Sequence, residues 1–355
     1  MKKNLLSLFI LFLLTISFSI AQDGNTSSFN FLTTPVSARV SALGGLNITN
    51  KDSDVNSFLY NPALISDSMN TSLSTGFQYH IAGIRNNSFA YAHKFKNLGT
   101  VAAGVLSANY GTMDQTDASG NFMGTYNAGA NALVLGYAKK IQTYTLGMNV
   151  KFANSSFANY SSVALLADFG VHFKHPKKNM NIGMVIKNAG FIAKKYTENS
   201  AQTDLPLDVQ LGLNYKLEHM PMRFTVTGHH LYKYDIRYIN PNAPKQYDLS
   251  GNLIKESDGV YDKILRNTDI IFRHFVFGSE FLFGKNFNIR LGYNLQMRKE
   301  MKIPGGDFNF SGFSTGFMMR IKGIAFHYGF ANVHPAKGLH TIQFDINFNR
   351  RFRNL

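Results

Sequence analysis

The chain has 355 residues, no cysteine, 31 Phe, 17 Tyr and 30 Gly. The absent thiols exclude disulfides, thiolate metal sites and an acylated-cysteine anchor, and the aromatic, glycine-rich composition suits strands and turns. A formal net charge of +15 admits nucleic acid or anionic lipid as partners, and the positions of the charges decide between them.

Residues 1–21 read as a secretion signal. Lys2 and Lys3 precede an apolar run from Leu5 to Ile20, and Ser19-Ile20-Ala21 fits a small-residue cleavage site. A membrane anchor is the alternative, but Asp23 follows with no basic stop-transfer flank. Cleavage would remove two lysines and no acid, taking the charge from +15 to +13. Residues 22–70 are rich in Asn, Ser and Thr and contain "TTPVSARVSALGG" and "YNPALI". Gly44 and Gly45 interrupt a small-residue run that includes Arg39, and Asn61-Pro62 is a turn initiator. Such a segment suits a short inward-folded plug, with a disordered periplasmic tail as the alternative.

From residue 71 to 355 the text alternates with a period of two. Leu207, Val209, Leu211 and Leu213 interleave with Asp208, Gln210, Gly212 and Asn214; Leu146, Met148, Val150 and Phe152 interleave with Thr145, Gly147, Asn149 and Lys151. Successive strand side chains face opposite sides, so each segment carries one apolar and one polar face. Fourteen segments are predicted, near 71–80, 84–95, 99–110, 127–140, 143–157, 160–175, 179–195, 207–217, 221–233, 268–283, 286–301, 308–321, 323–333 and 337–349. Their length favours a transmembrane barrel, apolar face to lipid, over a soluble sandwich with strands of about 5–6 residues. The polar positions, including Asp208, Gln210, Asn214, Lys216, Arg290, Asn294, Gln296 and Arg298, are assigned to the lumen.

The links alternate in length. Short ones follow the even-numbered segments, and the long ones at 111–126, 196–206 and 234–267 follow odd-numbered ones, the asymmetry of periplasmic turns and outer loops. Lysines such as Lys94, Lys96, Lys139, Lys140, Lys177 and Lys178 gather at the short turns. A basic rim facing anionic head groups explains the charge; no basic stretch interleaved with aromatics argues for nucleic acid. DASGN (117–121) and DLSGN (248–252) read as hairpin tips.

No residue pattern points to an enzyme, and no catalytic, cofactor or metal site is expected. GFSTG (312–316) matches a nucleophile elbow, but a strand rather than a helix is predicted after Ser314. His229 and His230, as neighbours on a strand, would face opposite sides and could not share a metal. A lumen of about fourteen strands is too wide for wall side chains to fill, so the plug is expected to fill it. The 234–267 loop, with Tyr234, Tyr238, Tyr247 and Tyr261, has the aromatic content of a docking surface, or is a merely solvated loop.

"NFLTTPVSARVSALGG", Asp52 and Asp54, and then "YNPAL" resemble the N-terminal signature of the PorV/PorQ group, relatives of the FadL-type outer-membrane barrels. "YGTMDQTDASGNFMGTY" (110–126), "LPLDVQLGLNYKLEHMPMRF" (205–224) and "GYNLQMRKEM" (292–301) extend the likeness toward the PorQ branch. The resemblance implies a fourteen-stranded outer-membrane barrel of the type IX secretion system in Bacteroidota. It also implies a non-catalytic role, holding a surface protein of the PorZ type beside PorU- and PorV-type proteins of the attachment complex. The competing expectation is a FadL-like transporter of hydrophobic molecules. A gap or kink in the wall would favour transport, and a lumen blocked by polar contacts would favour the platform.

Overall fold

The computed structural model describes residues 29–198, 204–238, 260–301, 310–335 and 337–348. Fourteen strands form one closed antiparallel barrel. They are β1 (Ser72–Tyr79), β2 (Arg85–Phe95), β3 (Gly99–Thr116), β4 (Phe122–Ile141), β5 (Tyr144–Phe157), β6 (Tyr160–Lys174) and β7 (Met180–Lys194). The second half comprises β8 (Asp208–Lys216), β9 (Met222–Gly228), β10 (Phe275–Phe283), β11 (Phe287–Asn294), β12 (Phe313–Ile321), β13 (Ile324–Ala331) and β14 (Leu339–Asn347). Each strand pairs with its chain neighbours, and β1 meets β14 with Phe77 opposite Ile342.

Period-two patterning sets the faces. On β5, Leu146, Met148, Val150 and Phe152 are 42–50 % exposed, whereas Thr145, Asn149 and Lys151 are buried. On β4, Leu133 and Leu135 point outward while Val134 between them is fully buried. A soluble barrel would bury the first set. Apolar rows outside, polar rows inside and a ladder closed on itself are what a hydrocarbon environment demands. The protein is an integral β-barrel of the outer membrane.

The predicted boundaries fail where another local signal wins. The expected loop 111–126 is mostly a tall hairpin of β3 and β4; only its tip turns, where Asp117 Oδ1 accepts the amides of Ser119 and Asn121 at 2.9 and 2.8 Å. Residues 268–273, read as strand, belong to a helix, α2 (Val260–Arg273), steadied by an Asp269–Arg273 ion pair one turn apart at 2.8 Å. Residues 295–300, also read as strand, form α3 (Leu295–Glu300). The Asn294 side chain caps it by accepting the Met297 amide at 3.0 Å. Gln296 and Arg298 therefore lie on a helix beyond the strand, not in the lumen wall as expected. β9 stops at Gly228, short of the predicted 233. The DLSGN turn lies outside the described residues.

Candidate functional site: the plugged lumen and its outer rim

Residues 29–70 occupy the barrel interior as short pieces. They are a 3-10 turn at Asn30–Thr33, α1 (Ala38–Ala42), and 3-10 turns at Val55–Leu59, Pro62–Leu64 and Asp67–Met69. None is long enough to be stable alone, so the wall must hold them. Phe29, Phe31 and Leu32 pack with Leu106, Ala108 and Ala130, and Phe58 is fully buried. At the short-turn rim, Asp67 pairs with Lys94 at 2.5 Å.

A girdle of inward-facing glycines lets the plug backbone touch the wall. A Cβ on Gly147 would lie 2.3 Å from the Pro62 carbonyl carbon, and one on Gly292 would lie 2.2 Å from the Gly44 amide nitrogen. Gly170, Gly183, Gly316 and Gly329 make similar approaches to Asn61, Ile48, Ala42 and Ala38. Real side chains cannot occupy these positions without displacing the plug.

The plug's centre is ionic. Glu280 on β10 is fully buried and accepts from Arg39 of α1 (3.1 Å), Arg223 of β9 (2.6 Å), Arg290 of β11 (3.1 Å) and Asn50 (2.8 Å). Asp52 bridges Arg39 and Arg223, the latter at 3.1 Å. Burial works against the Asp52 carboxylate, but Arg223 and Arg39 prevail and hold its pKa well below the usual range. Asp54 is pushed up, first by burial and then by the Asp345 carboxylate. Glu280, Arg39 and Arg290 are buried and Asp52 is half-exposed, and buried charges of this kind persist only where they are paired.

All five plug residues singled out from sequence fall in this assembly. Arg39 is the ion-pairing residue above. Gly44 and Gly45 take left-handed φ of 88° and 90° just past α1, and the Gly44 amide donates to Ser314 Oγ at 2.8 Å. Asn61 accepts the Ala63 amide (2.9 Å) and donates to the Ile48 carbonyl (3.0 Å), with Pro62 opening the next turn. Ser314 of the GFSTG match donates to the Ala42 carbonyl at 3.0 Å and so clamps α1. Glu280 and Arg223 were missed, and Asp52 was noted only as part of the N-terminal signature, without its ionic role. A signal existed, because Glu280 stands directly opposite Arg290 on one side and Arg223 on the other in strand register.

At the outer rim, Tyr234, Tyr238 and Tyr261 are 64, 69 and 71 % exposed; Tyr247 lies outside the described residues. The β7–β8 seam is paired only up to Lys187 opposite Asp208, while β7 continues to Lys194 along β6 alone. A bulge opposite Asp168 marks the point, with Asn188 at φ 59°. Behind it, Lys151 Nζ reaches Asp168 and Asn188, both at 2.8 Å.

The two histidines also differ from expectation. Because β9 has ended and His230 adopts φ 52°, its ring turns back beside that of His229 rather than away from it, Nδ1 to Nδ1 at 2.6 Å. Asp208 joins them, its Oδ1 accepting the His230 amide at 2.6 Å. Burial, then the neighbouring His230 ring, lowers the His229 pKa and keeps that ring neutral.

No family model matches this sequence, and no curated protein matches it. Among solved structures, a deltaS2 mutant of the TodX monoaromatic hydrocarbon channel superposes with a TM-score of 0.52 at 12 % identity, covering 89 % of this chain and 99 % of that one. The deltaS2S3 mutant of TodX gives 0.50 at 11 % identity, over 88 % and 98 % of the two chains. A FadL homologue of Pseudomonas aeruginosa gives 0.46 at 8 % identity, over 88 % and 98 %. At such identities the likeness is one of fold alone.

Proposed function

We propose that this barrel is a closed, non-enzymatic platform in the outer membrane that holds a surface partner. This is the role in a type IX attachment complex, beside PorU- and PorV-type proteins and beneath a PorZ-type one, that the PorV/PorQ resemblance implies. The supporting observation is the lumen. Its centre is crossed by the Glu280 ion cluster and by plug backbone pressed on wall glycines, an arrangement that favours holding over conducting. Outer-membrane lipid contacts the apolar wall, and the exposed tyrosines of the outer rim supply anchors for the partner.

A second reading is transport of hydrophobic molecules. The fold likeness to the TodX channel speaks more directly for this reading than for the first, and the unpaired outer end of the β7–β8 seam favours it too. Affinity purification of the native protein and its Y234S/Y238S/Y261S variant separates the two. The platform reading expects a surface protein that accompanies the native barrel and is lost from the variant, with equal membrane insertion. Identical companions, together with protein-dependent entry of a monoaromatic hydrocarbon into proteoliposomes, would replace it with the channel.

A further inference from the structure

We propose that Asp208, His229 and His230 form a binding site for a divalent transition metal, zinc being the ion their donor set fits best. One carboxylate oxygen and two imidazole nitrogens lie within 4.8 Å of one another. Oxygen and imidazole donors in a three-residue set are characteristic of zinc sites that keep a fourth position open. Asp208 and His229 are buried and His230 is half-buried, so an ion would enter from the His230 side, at the outer mouth.

The ligands are held in place by their surroundings. The Asp208 carboxylate is gripped at both oxygens, by the His230 amide and by Gln210 Nε2, each at 2.6 Å. The His229 main chain is fixed by His274, whose carbonyl accepts the His229 amide at 3.0 Å and whose Nδ1 lies 2.7 Å from the His229 carbonyl. Outer contacts of this kind orient metal ligands. Beside them the buried Gln210 Oε1 has no hydrogen-bond partner, so the protein alone does not fully satisfy this cluster.

The Nδ1 atoms of His229 and His230 face each other, and a cation seated beside them would take a lone pair from each ring. Tetrahedral zinc with bonds of about 2.0–2.1 Å sets its nitrogens roughly 3.3 Å apart, so loading must widen the 2.6 Å pair. His230, outside the strand ladder, is the ring free to shift. Lys187, opposite Asp208 in register, is the competing cation, and Lys233, His274 and Glu300 complete the charged surroundings. A bound ion would clamp the ends of β8 and β9 together, and the open fourth position would face the outer loops.

The test uses the full-length barrel in detergent, chelator-treated and titrated with Zn²⁺, and separately with Co²⁺ as a visible-spectrum probe. The proposal expects one equivalent of Zn²⁺, four-coordinate Co²⁺ bands and a melting temperature that rises with zinc. H229A, H230Q and D208N should each weaken binding by about tenfold or more, with H230Q tested because D208N also removes hydrogen bonds. Heat-modifiable gel mobility verifies that each variant is folded. Equal affinity and stoichiometry in wild type and the H229A/H230Q double variant, or folded protein with no zinc-dependent signal, would overturn the site.

Discussion

Replacing Gly147 with alanine, and more severely with valine, is expected to expel the Asn61–Pro62 turn while the barrel stays in the membrane. The added carbon would fall 2.3 Å from the Pro62 carbonyl carbon and 2.4 Å from the Ala63 nitrogen. Backbone atoms cannot rotate aside as a flexible side chain can, so overpacking here should cost about 3 kcal/mol, the upper end of the usual range. Gly170 lies opposite Gly147 in register, and its added carbon would meet Asn61 Oδ1 at 2.0 Å. The G147A/G170A pair should therefore release the turn completely. Protease sensitivity of residues 50–70 in intact outer membranes reads the effect, with Leu146→Ala on the lipid face of the same strand as control. If the double variant is as resistant as wild type, the girdle does not hold the plug.

Removing the Glu280 carboxylate should be the most damaging single polar change. Glu280→Ala leaves Arg39 and Arg223 ion-paired to Asp52 alone and removes the carboxylate to which Arg290 is paired. An uncompensated buried charge of this kind costs about 3–5 kcal/mol. Glu280→Gln keeps the shape and part of the hydrogen bonding, so the difference between the two isolates charge from packing. Both should loosen the plug, and planar bilayers containing E280A should pass ionic current in discrete events where wild type is silent. A silent bilayer and an unshifted melting curve for E280A would contradict the role given to the cluster.

The wall was legible because a period of two cannot be confused with noise over ten or more residues. Leu146 to Phe152 and Leu207 to Leu213 lie on the faces their text dictates. Legibility failed where a strand pattern runs into a cap or a helical pair. Leu295 and Met297 continue the alternation, yet Asn294 captures the Met297 amide and turns the chain into α3. In 268–273, the Asp269–Arg273 spacing was the helical signal that a run of Ile270, Ile271 and Phe272 obscured. The glycine girdle was visible as Gly147, Gly212 and Gly292 on polar faces, but only the plug's backbone gives those gaps a meaning. The histidine pair was unreadable because alternation holds only while the strand lasts, and His230 lies two residues beyond β9.

The chain's lack of cysteine makes single-site spin labelling the most direct check on the orientation of the wall. With L133C, L135C, V150C and F152C reconstituted in lipid, the labels should collide freely with oxygen and rarely with a water-soluble nickel complex. A label at the exposed hairpin tip, S119C, should show the reverse. Water-type collisions at the four wall positions, or shielding from both probes, would mean that the apolar rows do not face lipid, and the membrane barrel would be refuted.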